Sequence, residues 1–319
     1  MQNVICFGEA LIDMLSTEPG TFKQFPGGAP ANAAVAIAKM GGNAIFSGML
    51  GNDMFGKYLH QSLNEYAVNT EFVRWTDQAK TALAFVSLDA EGERSFEFYR
   101  PPAADLLFRP NDFDLTMFQQ STIFHFCSNS LTDESIANST KHGITLATQN
   151  DCLVCMDVNL RKNLWPATAD YQPIIVSYME MAHVIKVSLE ELEALVDKAD
   201  IVDFLQTLLT QKCQLVMLTD GANPIICMTK NTSISVTAPE VIAVDTTAAG
   251  DAFIGGFLYQ LNKQNISLIN LDTFVCSEKL TQAVQFAACC GAYTVTRQGA
   301  FPALPDRVMA EKFERQGQY

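Results

Sequence analysis

The stretch Asp245-Thr246-Thr247-Ala248-Ala249-Gly250-Asp251 runs straight into the apolar, helix-like segment Ala252-Phe253-Ile254-Gly255-Gly256-Phe257-Leu258-Tyr259. Small residues let several backbone N–H groups turn toward one point at a helix N-terminus, which makes a site for phosphate or a developing oxyanion. Asp251 stands among those donors. A carboxylate there repels phosphate unless it has a task, and the task its place offers is to accept a proton from a hydroxyl nucleophile. Read so, the segment serves phosphoryl transfer to an alcohol. Taken by itself it reads equally as a helix cap, because the helix dipole alone favours Asp in a first turn.

Working outward, apolar strand-like runs recur with helical patterns between them: Val4 to Phe7, Ala44 to Met49, Ile123 to Cys127, Leu153 to Met156, His183 to Val187 and Leu215 to Thr219. That alternation predicts an α/β fold, a doubly wound and mainly parallel sheet flanked by helices. One segment breaks the rhythm. Thr81 to Leu88, then Asp89-Ala90-Glu91-Gly92-Glu93, then Arg94 to Tyr99 reads as a hairpin with a Gly-containing turn. Such a hairpin is an edge elaboration or a lid, and the stretch Ser16 to Phe25 is placed to supply further strands of a small β-sheet.

Polar residues gather where the strands end. Asp13 follows the first run; Asp157, Asn159 and Arg161 follow Met156; Ser188, Glu190 and Glu191 follow Val187; Asp220 and Gly221 follow Thr219. Open α/β sheets bind ligands beyond the carboxyl ends of their strands, so these groups are expected along one edge. Asp157-x-Asn159-x-Arg161 alternates so that all three side chains share one side of an extended segment, with Arg161 suited to phosphate and the other two to hydroxyls, bridging water or metal. A salt-bridged loop accounts for the same residues equally well.

The 319-residue chain is 48% hydrophobic, enough for a large core in one large or two ordinary domains. Its formal net charge of -14 opposes binding to nucleic acid or anionic lipid, so an anionic nucleotide has to be held by local donors and metal. The first residues lack a basic region and an apolar run of signal-peptide length, so cytoplasmic residence is expected. Nine Cys in such a chain read as reduced core thiols, and Cys152-Leu153-Val154-Cys155 lies in a strand-like run rather than in a redox or zinc constellation.

Pro26-Gly27-Gly28-Ala29-Pro30-Ala31-Asn32 leads into a helix ending near Gly41-Gly42. Gly27 and Gly28 permit close backbone approach to a ligand, and Asn32 offers both donor and acceptor to hydroxyls, although a plain strand-to-helix turn has the same form. Gly51-Asn52-Asp53-Met54-Phe55-Gly56-Lys57-Tyr58 mimics a Walker A loop but ends in Tyr58, which cannot supply the hydroxyl that Mg²⁺ needs there. No dinucleotide fingerprint follows the first strand, which counts against an oxidoreductase.

The segments Gly27-Gly28-x-Pro30-x-Asn32 and Asp245-Thr246-Thr247-Ala248-Ala249-Gly250-Asp251 resemble the two signatures of the PfkB, or ribokinase-like, carbohydrate kinases, in the same order and at a similar separation. The resemblance covers essentially the whole chain and implies a single kinase domain over residues 1–319, with lid strands within 16–25 and 81–99. It implies Asp251 as general base and an anion hole from the backbone of Ala248, Ala249, Gly250 and Asp251. It implies sugar contacts at Asp13, Gly27, Gly28, Asn32, Arg100, Asp157 and Asn159, a phosphate contact at Arg161, and nucleotide contacts at Ser188, Thr219 and Gly221. ATP and Mg²⁺ are the implied cofactors, with Glu191 toward Mg²⁺, directly or through water. A K⁺ site is implied near Asp245, Thr247 and the Arg297-Gln298-Gly299-Ala300 segment, and a homodimer paired through the lids.

Two departures stand out. The family usually has Gly where this chain has Ala248, so a positive φ there strains the loop by about 1 to 2 kcal/mol. Ser188-Leu189-Glu190-Glu191 stands in place of an Asn-x-x-Glu motif, which keeps Glu191 and loses the Asn. Gly8-Glu9-Ala10-Leu11-Ile12-Asp13, Phe98 to Asp105 and Asp157 to Trp165 look most like fructokinases, with 2-keto-3-deoxygluconate and aminoimidazole riboside kinases next. A sugar or nucleotide sensor with the same pockets is the alternative outside enzymes.

Overall fold

The structure is a computed structural model that describes residues 1–18, 20–88, 94–100 and 102–316; the turn expected at Asp89 to Glu93 lies outside them. In chain order the strands are β1 (Asn3–Phe7), β2 (Leu11–Glu18), β3 (Thr21–Gly27), β4 (Ala44–Ser47), β5 (Met49–Gly51), β6 (Arg74–Thr76), β7 (Leu83–Leu88), β8 (Arg94–Tyr99), β9 (Ser121–Cys127), β10 (Leu153–Asp157), β11 (Val184–Ser188), β12 (Leu215–Asp220), β13 (Asn223–Met228) and β14 (Ser233–Val236). The main sheet has the order β14-β13-β12-β11-β10-β9-β1-β4, parallel from β4 to β12 and closed at the far edge by antiparallel β13 and β14.

Both faces of this sheet are covered, which is why its strands read as unbroken apolar runs. Alternate residues divide between two cores. Val4, Cys6, Ile123, Cys155, Val184 and Met217 meet the helices Ala29–Lys39, Ala249–Lys263 and Glu278–Val295. Ile5, Phe7, Phe124, Val154, Ile185 and Val216 face the helices Glu134–Gln149, Tyr171–Met179 and Ile201–Leu209. All nine cysteines are free thiols, and Cys152 and Cys155 are buried core residues as expected.

The helix Ala249–Lys263 sits at the centre of the first core. A Cβ on Gly255 would stand 2.5 Å from the Ala36 Cβ, and one on Gly256 would stand 2.8 Å from the Cys290 Sγ. Missing side chains thus let this helix press on both neighbours.

A second sheet, ordered β3-β2-β7-β8, lies over one end of the main sheet, with β2 and β7 parallel and the outer pairs antiparallel. Its first two strands run from Leu11 and to Gly27, beyond the expected Ser16 to Phe25, because Leu11, Ile12, Leu15 and Phe25 are buried. Asp13 therefore lies within a strand of the small sheet rather than in a loop after β1. The strand expected from Ala44 to Met49 is two strands, and β5 leaves the main sheet to pair with β6. Asp53 caps the helix Met54–Glu65 by accepting from Phe55 and Gly56 N–H, so the Walker-like segment is a helix start.

Candidate active site

The carboxyl ends of β1, β10, β11 and β12, the small sheet, and the first turns of the helices Ala29–Lys39 and Ala249–Lys263 enclose one cavity of about 830 Å³. Asp13, Gly28, Asn32, Asn159, Arg161, Ser188, Glu191, Thr219, Thr247 and the run Ala248 to Asp251 all line it. Edge binding in an open α/β sheet places them there.

At its centre the helix Ala249–Lys263 begins without a side-chain cap. Ala248 takes the left-handed conformation, φ 59° and ψ 12°, and its carbonyl accepts from Ala252 N–H at 2.8 Å. Orphan first-turn N–H groups and the helix dipole make this opening attractive to an anion. Asp251 stands in that first turn, and its Oδ2 accepts from Asn32 Nδ2 at 2.7 Å. Burial raises the Asp251 carboxyl above its ordinary value, while the Asn32 hydrogen bond and the charges of Arg161 and Lys186 hold it back.

The end under the small sheet gathers carboxylate and amide side chains. Asp13 is pushed up to about 7 by burial, with Asp251 and Asp245 adding to the rise. Gly27 backs the Asp13 carboxylate so closely that any Cβ would collide with Asp13 Oδ2. Gly28 has φ 107°, and a Cβ there would stand 2.7 Å from the Glu9 carbonyl. Asn32 Oδ1 is buried without a protein partner.

Arg100 is a correction. It is buried at 2% exposure behind the cavity wall, where it pairs with Asp105 at 2.6 Å and donates to Thr132 Oγ1 and the Asn129 carbonyl. Its donors serve the protein, so it supports the wall and does not face a sugar. Asp157 is likewise off the lining, 1% exposed and paired with Lys186 Nζ at 3.0 Å. Glu9, Asn129 and Lys186 are among the lining residues that carried no role in the sequence reading. Glu9 caps the helix Ala29–Lys39 from afar, accepting from Ala29 N–H at 3.2 Å and from Asn129 Nδ2 at 2.9 Å. Lys186 is the third, and its signal was a lone charge inside the run Val184 to Val187.

At the other end, Ser188 and Glu191 form a capping box on the helix Leu189–Leu195. The Glu191 carboxylate also accepts from Leu160 N–H at 3.1 Å, so it ties the loop after β10 to the start of that helix. Carboxylates keep further lone pairs, and exposed Glu190 lies beside it on the cavity. Thr219 lines the cavity, whereas Gly221 sits in the exposed β12–β13 turn with φ 54°. Asp245 is buried below the opening, accepting from Thr247 N–H at 2.7 Å and from Gly299 N–H at 2.9 Å. It joins the two segments expected to offer carbonyls to a monovalent cation.

An uncapped helix start beside a carboxylate, on a cavity with hydroxyl-binding groups at one end, defines a phosphotransferase that acts on an alcohol. The model of the pfkB family of carbohydrate kinases matches residues 1–307, and the chain belongs to that family. It is 40% identical over 313 residues to probable fructokinase-6, chloroplastic, of Arabidopsis thaliana, covering 95% of this chain and 80% of that one. The crystal structure of fructokinase with bound ATP from Xylella fastidiosa superposes with a TM-score of 0.96 at 43% identity, covering 99% of both chains. Aminoimidazole riboside kinase from Salmonella enterica, complexed with aminoimidazole riboside and an ATP analogue, gives 0.85 at 31% identity, covering 98% of this chain and 99% of that one.

Proposed function

We propose that this ATP-dependent sugar kinase is a fructokinase, transferring the γ-phosphoryl group of ATP to the 6-hydroxyl of D-fructose, and that the whole chain works as a single kinase unit. The observation that carries the mechanism is Asp251 in the first turn of an uncapped helix, held by Asn32. In this reading Asp13, Gly28, Asn32 and Asn159 hold the sugar hydroxyls, and Asp251 takes the proton of the attacking one. The new bond joins the sugar oxygen to the γ-phosphorus as the bond to ADP breaks. Backbone donors from Ala248 to Asp251 and the Arg161 guanidinium stabilise charge on the transferring group. Ser188, Thr219 and Gly221 mark the nucleotide end.

Glu191 and Glu190 offer the hard oxygen donors that suit Mg²⁺, and they would hold it through water. Mg²⁺, when bound, neutralises charge on the nucleotide phosphates. The carbonyls near Asp245 and Thr247, joined by the Asp245 carboxylate to the Gly299 segment, are the proposed K⁺ site. The small sheet is read as a lid and as the surface of a homodimer, and the protein as cytoplasmic; no helix among the described residues is long and apolar enough to cross a membrane.

The test is ADP release from ATP and Mg²⁺ with fructose, ribose, 2-keto-3-deoxygluconate or aminoimidazole riboside as sole acceptor. Fructose is expected to give the highest kcat/KM, with loss of turnover on chelation of Mg²⁺ and slowing when a bulky organic cation replaces K⁺. Greater efficiency with aminoimidazole riboside would move the assignment to that kinase, which the second structural likeness favours.

A further inference from the structure

The alternation that divides β10 and β11 between two cores puts Asp157 and Lys186 on the face toward the helix Ala249–Lys263, as do Cys155 and Val184 before them. Lys186 is 5% exposed, and what it exposes lies on the cavity. Its ammonium reaches the helix start itself: a Cβ on Gly250 would stand 2.9 Å from Lys186 Nζ. A side chain at position 250 would press on the ammonium, so glycine there favours the approach.

A buried ammonium costs several kcal/mol of desolvation, and the positive end of a helix dipole repels it further. Asp157 offsets part of this with contacts at 3.0 and 3.3 Å. Burial pulls the lysine toward neutrality, yet Asp157 and then Glu191 more than offset that pull and keep it charged. An ammonium has three donors, and a cation and a helix N-terminus aimed at one point are both satisfied by an anion placed between them.

We propose that Lys186 is a further catalytic residue, which donates from its ammonium to an oxygen of the transferring phosphoryl group, with Asp157 as the positioning residue that holds it there. Lys186 keeps its proton throughout; the proton lost by the sugar goes to Asp251. This rests on the reading of Ala248 to Asp251 as the anion hole. It also gives Asp157 a place behind the lysine rather than against the sugar.

The test uses Lys186→Met, Lys186→Arg and the double variant Lys186→Met with Asp157→Asn, which removes both buried charges and so keeps the fold testable if the single variant does not fold. Turnover is measured with fructose, and calorimetry compares ADP with adenylyl imidodiphosphate, which carries a third phosphate. Loss of one such donor is expected to lower kcat by about 10²- to 10³-fold while the fructose KM moves little. Affinity for the imidodiphosphate falls and ADP affinity holds, and Lys186→Arg recovers part of kcat. A double variant with wild-type kcat, or equal loss of affinity for both nucleotides, would overturn the assignment and leave Lys186 as a mere partner of Asp157. A wild type that consumes no ATP with any acceptor would overturn the kinase reading and this inference together.

Discussion

Ala248 carries a backbone conformation that suits glycine. At φ 59° its Cβ crowds the chain, a cost of about 1 to 2 kcal/mol, and the loop keeps that conformation because the helix start depends on it. Ala248→Gly is expected to stabilise the fold by up to about 1 kcal/mol, since greater freedom in the unfolded chain cancels part of the relief. Urea unfolding checks this, and a lowered midpoint would show that the loop is unstrained. Asp13 makes a pH prediction. Its folded value of about 7 lies above the ordinary 3.8, so between these the folded protein binds more proton than the unfolded chain. Its contribution to stability is thus complete below the lower value and is lost as pH rises through the higher one. Thermal melts of Asp13→Asn should fall less steeply over that window than those of the wild type; parallel curves would refute it. The Ala248 strain was legible from a Gly replaced by Ala in a known signature. Arg100 was not, because a motif shows that an arginine is present and not whether its donors face a ligand or a buried Asp105.

Helix Ala249–Lys263 shows how an element sets the site. Gly255 and Gly256 cost helix propensity, yet Gly256 lets it press on the helix Glu278–Val295 and Gly255 brings its axis close enough for Asn32 on the other neighbour to reach Asp251. Gly255→Ala is expected to destabilise by about 1 to 3 kcal/mol despite the better helix former, because the added Cβ meets Ala36 and the Ala33 carbonyl. It should also lower kcat by about tenfold or more by separating Asn32 from Asp251. Unchanged stability and kcat in the purified variant would show that the packing has slack. The six strand-like runs were legible because two-sided burial writes continuous apolar runs, and Lys186 interrupts one of them visibly. The parallel pairing of β2 with β7 was not legible, since nothing local in either strand encodes a partner about seventy residues away.

At the scale of the molecule, an acidic chain gathers donors around one cavity while carboxylates crowd its sugar end. The fold resolves that conflict by direction. In the proposed reading phosphate meets the helix start, Arg161 and Lys186, and the carboxylates meet hydroxyls. The small sheet covers the Asp13 end, and Phe22 and Tyr99 on it are 46% and 60% exposed, 5.3 and 5.1 Å respectively from the ring of Phe85. An exposed aromatic row of this kind suits the proposed homodimer. Light scattering is expected to give twice the chain mass of 35.1 kDa, and Phe22→Glu to halve it; a monomeric wild type would contradict the lid-to-lid pairing.

The central claim is that Asp251 removes the proton of the attacking hydroxyl. It is tested most directly by fructose-dependent ADP release from Asp251→Asn beside the wild type, with fructose affinity measured on both by calorimetry. The account predicts a fall in kcat of at least about 10²-fold, the lower range for a positioned general base, with fructose still bound. Turnover close to wild type in the folded variant would contradict it.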